Sequence, residues 1–266
     1  MFIELPTKYD IDINEWENAN YYNKNKDNEK LRKRLLDASK YYCMYCGRSL
    51  LIDGDCIGQL EHSVDKEGNI GQEKEEETFL THCKYNFSIA CPMCNGSCKT
   101  TSRKISFLER EKNLSCLEKK CSAKCKEYDS VRKEYIERNH LILQPDGIEK
   151  EGAQYKINYN LLGHYLEPSV ETDNIEALLL IMNHIRTFRM NDERFTYSII
   201  DTAAEIVELA RGGMIDKDTI LGYKRSGHFT NILGEKFVDF LDITFSSERV
   251  DDMVDFCEML VLLDAI

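Results

Sequence analysis

The sequence predicts an α+β fold that is mostly helical, in which a small cysteine-clamped unit precedes an acidic helical half. Three observations predict it. Two CxxC pairs, Cys43/Cys46 in YCMYCG and Cys91/Cys94 in ACPMCN, bracket a short segment of strand character around Leu60-Glu61-His62. Tyr155 to Tyr159 alternates like a half-buried strand. After Pro168, apolar residues recur at helical spacing through most of the chain.

In chain order, Asn28 to Lys40 reads as a helix leading into the first cysteine pair. Gly47 after that pair and Pro92 inside the second suit tight turns. Residues 63–78, with Gly68, Gly71 and the acidic run from Glu73 to Glu77, read as a loop between two hairpin arms. Lys104 to Arg138 reads as a long helix with breaks at Asn113 or Ser122. Pro145-Asp146-Gly147 and Glu151-Gly152 mark turns at a boundary. Helices are then expected at Asn174–Arg189, Ser198–Ala210, Asn231–Phe245 and Ser247–Leu263. Gly212-Gly213 stops the second. Ser247 would cap the last, with Glu248, Asp251 and Asp252 in its first turns. The expected organisation is a helical lead-in over 1–40, the cysteine-bearing unit and its following helix over 41–140, and a helical domain over 141–266.

The cysteines carry the clearest chemistry. Zinc favours four tetrahedral ligands, and thiolates at CxxC spacing reach one ion from a tight turn. Two such pairs predict a structural zinc held by Cys43, Cys46, Cys91 and Cys94. The alternatives are unlinked buried thiols or disulfides, and disulfides need an oxidising compartment. The N-terminus, MFIELPTK, has no apolar signal core, so a reducing, cytoplasmic location is expected. No apolar run approaches the roughly 20 residues that span a bilayer. Cys98, Cys116, Cys121 and Cys125 are a candidate second zinc set, against which stands the absence of a CxxC spacing among them.

On a strand, Glu61 and His62 point to opposite faces. Glu61 offers oxygen to a hard divalent cation. His62 has the ordinary pKa range of a general base, which must be neutral to act, so activity is expected to fall below about pH 6.

Together, CMYC, LEH, YNFSIACPMCN and the following Lys99-Thr100 resemble the HNH endonuclease family over residues 40 to 103. The resemblance implies a ββα-metal unit: a hairpin, a loop and a helix gripping one catalytic ion. It implies His62 as the base that activates water and Glu61 as an acidic metal ligand. Asn86 would hold the loop and orient the base, and Asn95 would ligate the catalytic metal, which the oxygen donors suit to Mg2+ or Mn2+. Asn95 stands where histidine is commoner, and Ser63-Val64-Asp65-Lys66 stands where many members carry a proline. LEHSVDKE, NFSIACPMCN, ILQPDG and IMNHIRTFR further resemble the HNH proteins of retron and Septu anti-phage systems. That resemblance implies a nuclease working in antiviral defence beside an ATPase partner.

The formal net charge of −12 is unusual for a protein that binds DNA. Its distribution removes the conflict. Residues 1–159 hold 26 Lys+Arg against 27 Asp+Glu, and residues 160–266 hold 9 against 20. The acidity belongs to the helical half, where a docking surface for a basic partner and a plain solvated face are both consistent with it. Basic residues gather in KLRKRLL and after Asn95, and Lys99, Arg103 and Lys104 are candidates for phosphate contact. Three functions compete: a metal-dependent endonuclease on DNA, a zinc-ribbon binding module of little catalytic power, and an RNA- or tRNA-cutting nuclease.

Overall fold

A computed structural model of the chain describes residues 1–13, 16, 21, 24–64, 81, 83–99, 126–139, 141–142, 145–150, 153–169, 174–214 and 216–264. The fold is α+β and largely helical. Strand β1 (Phe2–Leu5) opens the chain, followed by helix α1 (Lys26–Ala38) and the strands β2 (Leu51–Ile52), β3 (Asp55–Cys56), β4 (Gln59–His62) and β5 (Phe87–Ala90). Helix α2 (Lys126–Asn139) precedes β6 (Glu149–Lys150), β7 (Ala153–Gln154), β8 (Lys156–Asn160) and β9 (Tyr165–Ser169). The remainder is helical: α3 (Ile175–Thr187), α4 (Glu193–Thr196), α5 (Ser198–Arg211), α6 (Lys217–Ser226), α7 (Ile232–Thr244) and α8 (Val250–Asp264).

Local chemistry sets most boundaries. Helix α1 begins at Lys26, earlier than its apolar stripe suggests, because the Asn25 side chain accepts from the amides of Asp27 and Asn28. Asn174, Asp216 and Asn231 cap α3, α6 and α7 in the same way. Helix α5 ends at Gly212, as its glycine pair predicts. Helix α8 starts at Val250 rather than at a Ser247 cap; Ser247 sits in a turn where the Arg249 amide donates to the Ser246 carbonyl. Of the long helix expected from Lys104 to Arg138, α2 is the described part, and 104–125 lie outside the described residues.

The lead-in is not wholly helical. Strand β1 pairs antiparallel with β8, Phe2 opposite Asn160 and Leu5 opposite Ile157, and β8 pairs with β9 to complete the sheet β1-β8-β9. Ile3 and Leu5 turn inward while Phe2 and Glu4 face out, the alternation of a strand covered on one side. Helix α7 packs beside β1, α3 beside β9, and α5 lies among α6, α7 and α8. One apolar core runs through all three stretches: Leu31 and Leu35 of α1, Met44 and Tyr45 between the first cysteines, Tyr128 and Tyr135 of α2, Tyr159 of β8 and Phe237 of α7.

The first cysteine turn is held directly by the helical half. The Ile232 amide donates to the Gly47 carbonyl at 2.8 Å, and the Ser49 amide to the Thr230 carbonyl at 2.9 Å. Gly47 has φ +72°, and a Cβ there would meet Ile232 Cγ2 at 2.6 Å. Only glycine allows both the left-handed backbone and this approach. Among the described residues, no helix is long and apolar enough to cross a membrane.

Candidate functional site

The four cysteines of the two CxxC pairs converge. Their sulfur atoms lie within 4.8 Å of one another, and all four residues are buried. The turns that carry them are crosslinked: the Met44 amide donates to the Ile89 carbonyl at 3.0 Å, and the Cys91 amide donates to Cys43 Sγ at 3.3 Å. The Cys94 amide points at Cys91 Sγ at 3.5 Å. Such amide-to-sulfur contacts suit thiolate, which accepts far better than thiol. Four sulfur atoms this close suit a divalent ion of zinc's type, and four thiolates would leave it no open position. The cluster can therefore hold a structural metal.

The hairpin β4–β5 grows from this clamp. Its register sets Gln59 opposite Ala90, Glu61 opposite Ser88 and His62 opposite Phe87. His62 is buried, its ring 4.6 Å from the Phe87 ring between centroids. Its Nε2 is 3.0 Å from the Thr81 carbonyl. A carbonyl only accepts, so Nε2 carries the hydrogen and Nδ1 is the accepting nitrogen of the neutral ring.

Asn86 is fully buried at the foot of β5. Its Oδ1 accepts the Val64 amide at 2.7 Å, its Nδ2 donates to the Val64 carbonyl at 2.9 Å, and its own carbonyl accepts the Ser63 amide at 2.7 Å. One asparagine thus satisfies the chain where it leaves β4, directly after His62.

The opposite face of β4 carries two side-chain rungs. Gln59 and Glu61 share that face, two residues apart. A single π-type turn over Cys94–Cys98 sets Asn95 and Lys99 above them. Asn95 Nδ2 donates to Gln59 Oε1 at 2.9 Å, and Lys99 Nζ lies 2.6 Å from Glu61 Oε1. Lys99 Nζ also donates to the His62 carbonyl. Lys99, a candidate for phosphate contact, is only 3% exposed, and its ammonium is turned inward to a carboxylate. Glu61 and Asn95 do share a face, with hard oxygen donors, but Glu61 already carries a cationic partner.

Arg103 and Lys104 lie outside the described residues, as do Cys116, Cys121 and Cys125 of the candidate second zinc set. Cys98 instead lies against the first cluster, where contact with Cys94 holds its thiol down at about 7. Arg32, in the basic run of α1, is spent on the backbone, donating to the carbonyls of Gly58 and Cys56.

Two features escaped sequence reasoning. Thr81 orients His62 through its carbonyl, for which side-chain identity leaves no mark. His184 of α3 is buried with Nε2 2.9 Å from the Tyr45 carbonyl, inside the first CxxC turn, and burial pushes its pKa down to about 4. Its place in an apolar helical stripe was the available signal. No family model, curated protein or solved structure matches the chain.

Proposed function

We propose that the protein is an HNH-type endonuclease, a metal-dependent phosphodiester hydrolase acting on DNA, with a structural zinc on Cys43, Cys46, Cys91 and Cys94. The observation that carries the reading is the Asn86 clip on Val64 beside a histidine whose tautomer Thr81 selects. A base needs an accepting nitrogen in a fixed place. With Nε2 donating to the Thr81 carbonyl, His62 Nδ1 is the nitrogen that would take that role, and Phe87 and Asn86 hold the ring and its strand end. His62 then takes the proton of the attacking water. Asn86 positions the base and does not itself touch the substrate.

Glu61 and Asn95 are the oxygen donors that would hold Mg2+ or Mn2+, as hard-ligand preference requires. When bound, the ion would supply charge neutralisation at the phosphate and the leaving oxygen. The acidic helices of residues 160–266 fit docking of a basic partner better than gripping nucleic acid. In the anti-phage setting that the resemblance implies, that partner is an ATPase, and co-purification with the product of the neighbouring gene tests it.

The test of the activity is cleavage of supercoiled plasmid, and of a matched RNA, by purified zinc-loaded protein with Mg2+ or Mn2+. DNA cleavage is expected, and His62→Ala is expected to abolish it while leaving the melting temperature near that of the parent. Equal behaviour of parent and variant under every metal would overturn the enzyme reading. One observation favours a second reading, a zinc-supported binding module: the ion pair of Glu61 with Lys99 already neutralises the carboxylate. Nucleic-acid binding without cleavage would be its signature.

A further inference from the structure

Lys99 is a buried lysine whose ammonium has two defined acceptors on the same strand end. One is Glu61 Oε1 at 2.6 Å, and the other is the main-chain carbonyl of His62. The side chain of Glu61 is 12% exposed, so this ion pair is largely shielded from water. In such surroundings a charge interaction is felt more strongly than at a surface.

The placement has a consequence for any second cation. Asn95 and Lys99 rise from one turn onto one face of β4, the first bonded to Gln59 and the second to Glu61. A divalent ion that takes Glu61 Oε1 therefore shares that oxygen with an ammonium 2.6 Å away. The two cations share a single carboxylate and repel each other. The ion can bind only by drawing Glu61 away from Lys99 or by tolerating that repulsion.

We propose that Lys99 is the positioning residue that sets divalent-ion affinity on this face of the hairpin: it holds Glu61 in a neutral pair and competes with the ion for it. Its second bond, to the His62 carbonyl, ties the same ammonium to the backbone of the residue that carries the base. Entry of the ion and the setting of His62 are thereby coupled through one side chain. Linkage makes the coupling reciprocal, so an ion that is weakened by Lys99 must weaken the Lys99–Glu61 contact by the same factor. The inference rests on the reading of Glu61 and Asn95 as ion donors.

The test uses the full zinc-loaded chain and Mn2+ binding, counted by electron paramagnetic resonance of the free ion. Lys99→Met, which keeps the aliphatic stem and removes the charge, is expected to bind Mn2+ about tenfold more tightly or better. Glu61→Gln is expected to lose that binding. A folded Lys99→Met protein with unchanged or weaker Mn2+ affinity overturns the role of Lys99 and leaves the donor reading standing. No Mn2+ bound by either protein at millimolar concentration removes the donor reading, and the inference with it. Should loss of the ammonium beside Glu61 prevent Lys99→Met from folding, the parent protein decides. Saturating Mg2+ is expected to shift the nitrogen resonance of the Lys99 ammonium, and an unmoved resonance beside a shifted Asn95 amide overturns the competition.

Discussion

The imidazole Nε2 of His184 lies 2.9 Å from the carbonyl of Tyr45, so helix α3 reaches into the turn between Cys43 and Cys46. His184 is 1% exposed, and burial holds its pKa down at about 4. The folded protein therefore keeps this ring neutral where the unfolded chain protonates it. Between the unfolded value and about 4 the unfolded state binds more protons, so stability falls as pH falls. From pH 7 to pH 5 this one group should remove about 2 kcal/mol. Urea unfolding of the parent and of His184→Gln at both pH values checks it. The pH-dependent loss should be smaller in the variant by about that amount.

Removal of a metal held by the four cysteines should be felt by the whole fold, because the first cysteine turn is bonded to Ile232 of α7 as well as to the hairpin. Elemental analysis is expected to find at least one zinc per chain. Cys91→Ser, or chelation of the parent, should lower Tm by more than about 10 °C. A chain with no bound metal and an unchanged melting curve after chelation would refute the metal centre.

Asn86→Ala should leave the buried amide and carbonyl of Val64 without partners. The expected loss is about 3 kcal/mol of stability by denaturant unfolding. The His62 ring resonances should broaden or move as well, because the strand end that carries the ring loses its clip. Asn86→Asp keeps the acceptor for the Val64 amide but not the donor, and should fall between the two.

Gly47→Ala should destabilise by about 2 kcal/mol or more, since it adds left-handed backbone strain to an overpacked contact. The added methyl would meet Ile232 Cγ2 at 2.6 Å. Pairing it with Ile232→Ala, which removes the Cγ2 methyl of that contact, should recover part of the loss. That recovery, measured in a double-mutant cycle, separates the steric part from the backbone part.

Much of this molecule was legible in the residues because the signals are local. Asn174 and Asn231 cap helices whose apolar stripes run directly after them, and Gly212-Gly213 ends α5 where the stripe ends. The CxxC pairs were legible because that spacing lets two thiolates reach one ion from a tight turn, and the four sulfurs do converge. The three bonds of Asn86 to residues 63 and 64 are short in space though distant in sequence, so no local pattern records them. Helix α6 went unanticipated because Gly222 interrupts a short, polar segment whose stability comes from packing on α5 and α7. Strand β1 also escaped, because four residues carry no signal until β8 supplies their hydrogen bonds.

The sequence by itself determined the cysteine clamp and the helical second half, through spacing and residue type, while His62 as a candidate base came from its residue type and the resemblance. Only the tertiary structure decided what the charges do. Composition makes Lys99 a surface cation near a motif, yet folding buries it on Glu61, since a long aliphatic stem gains from burial only when its ammonium finds acceptors there. The same holds for His62. Its residue type makes it a candidate base, but which ring nitrogen carries the hydrogen was decided by a backbone carbonyl, that of Thr81, which no side-chain pattern records.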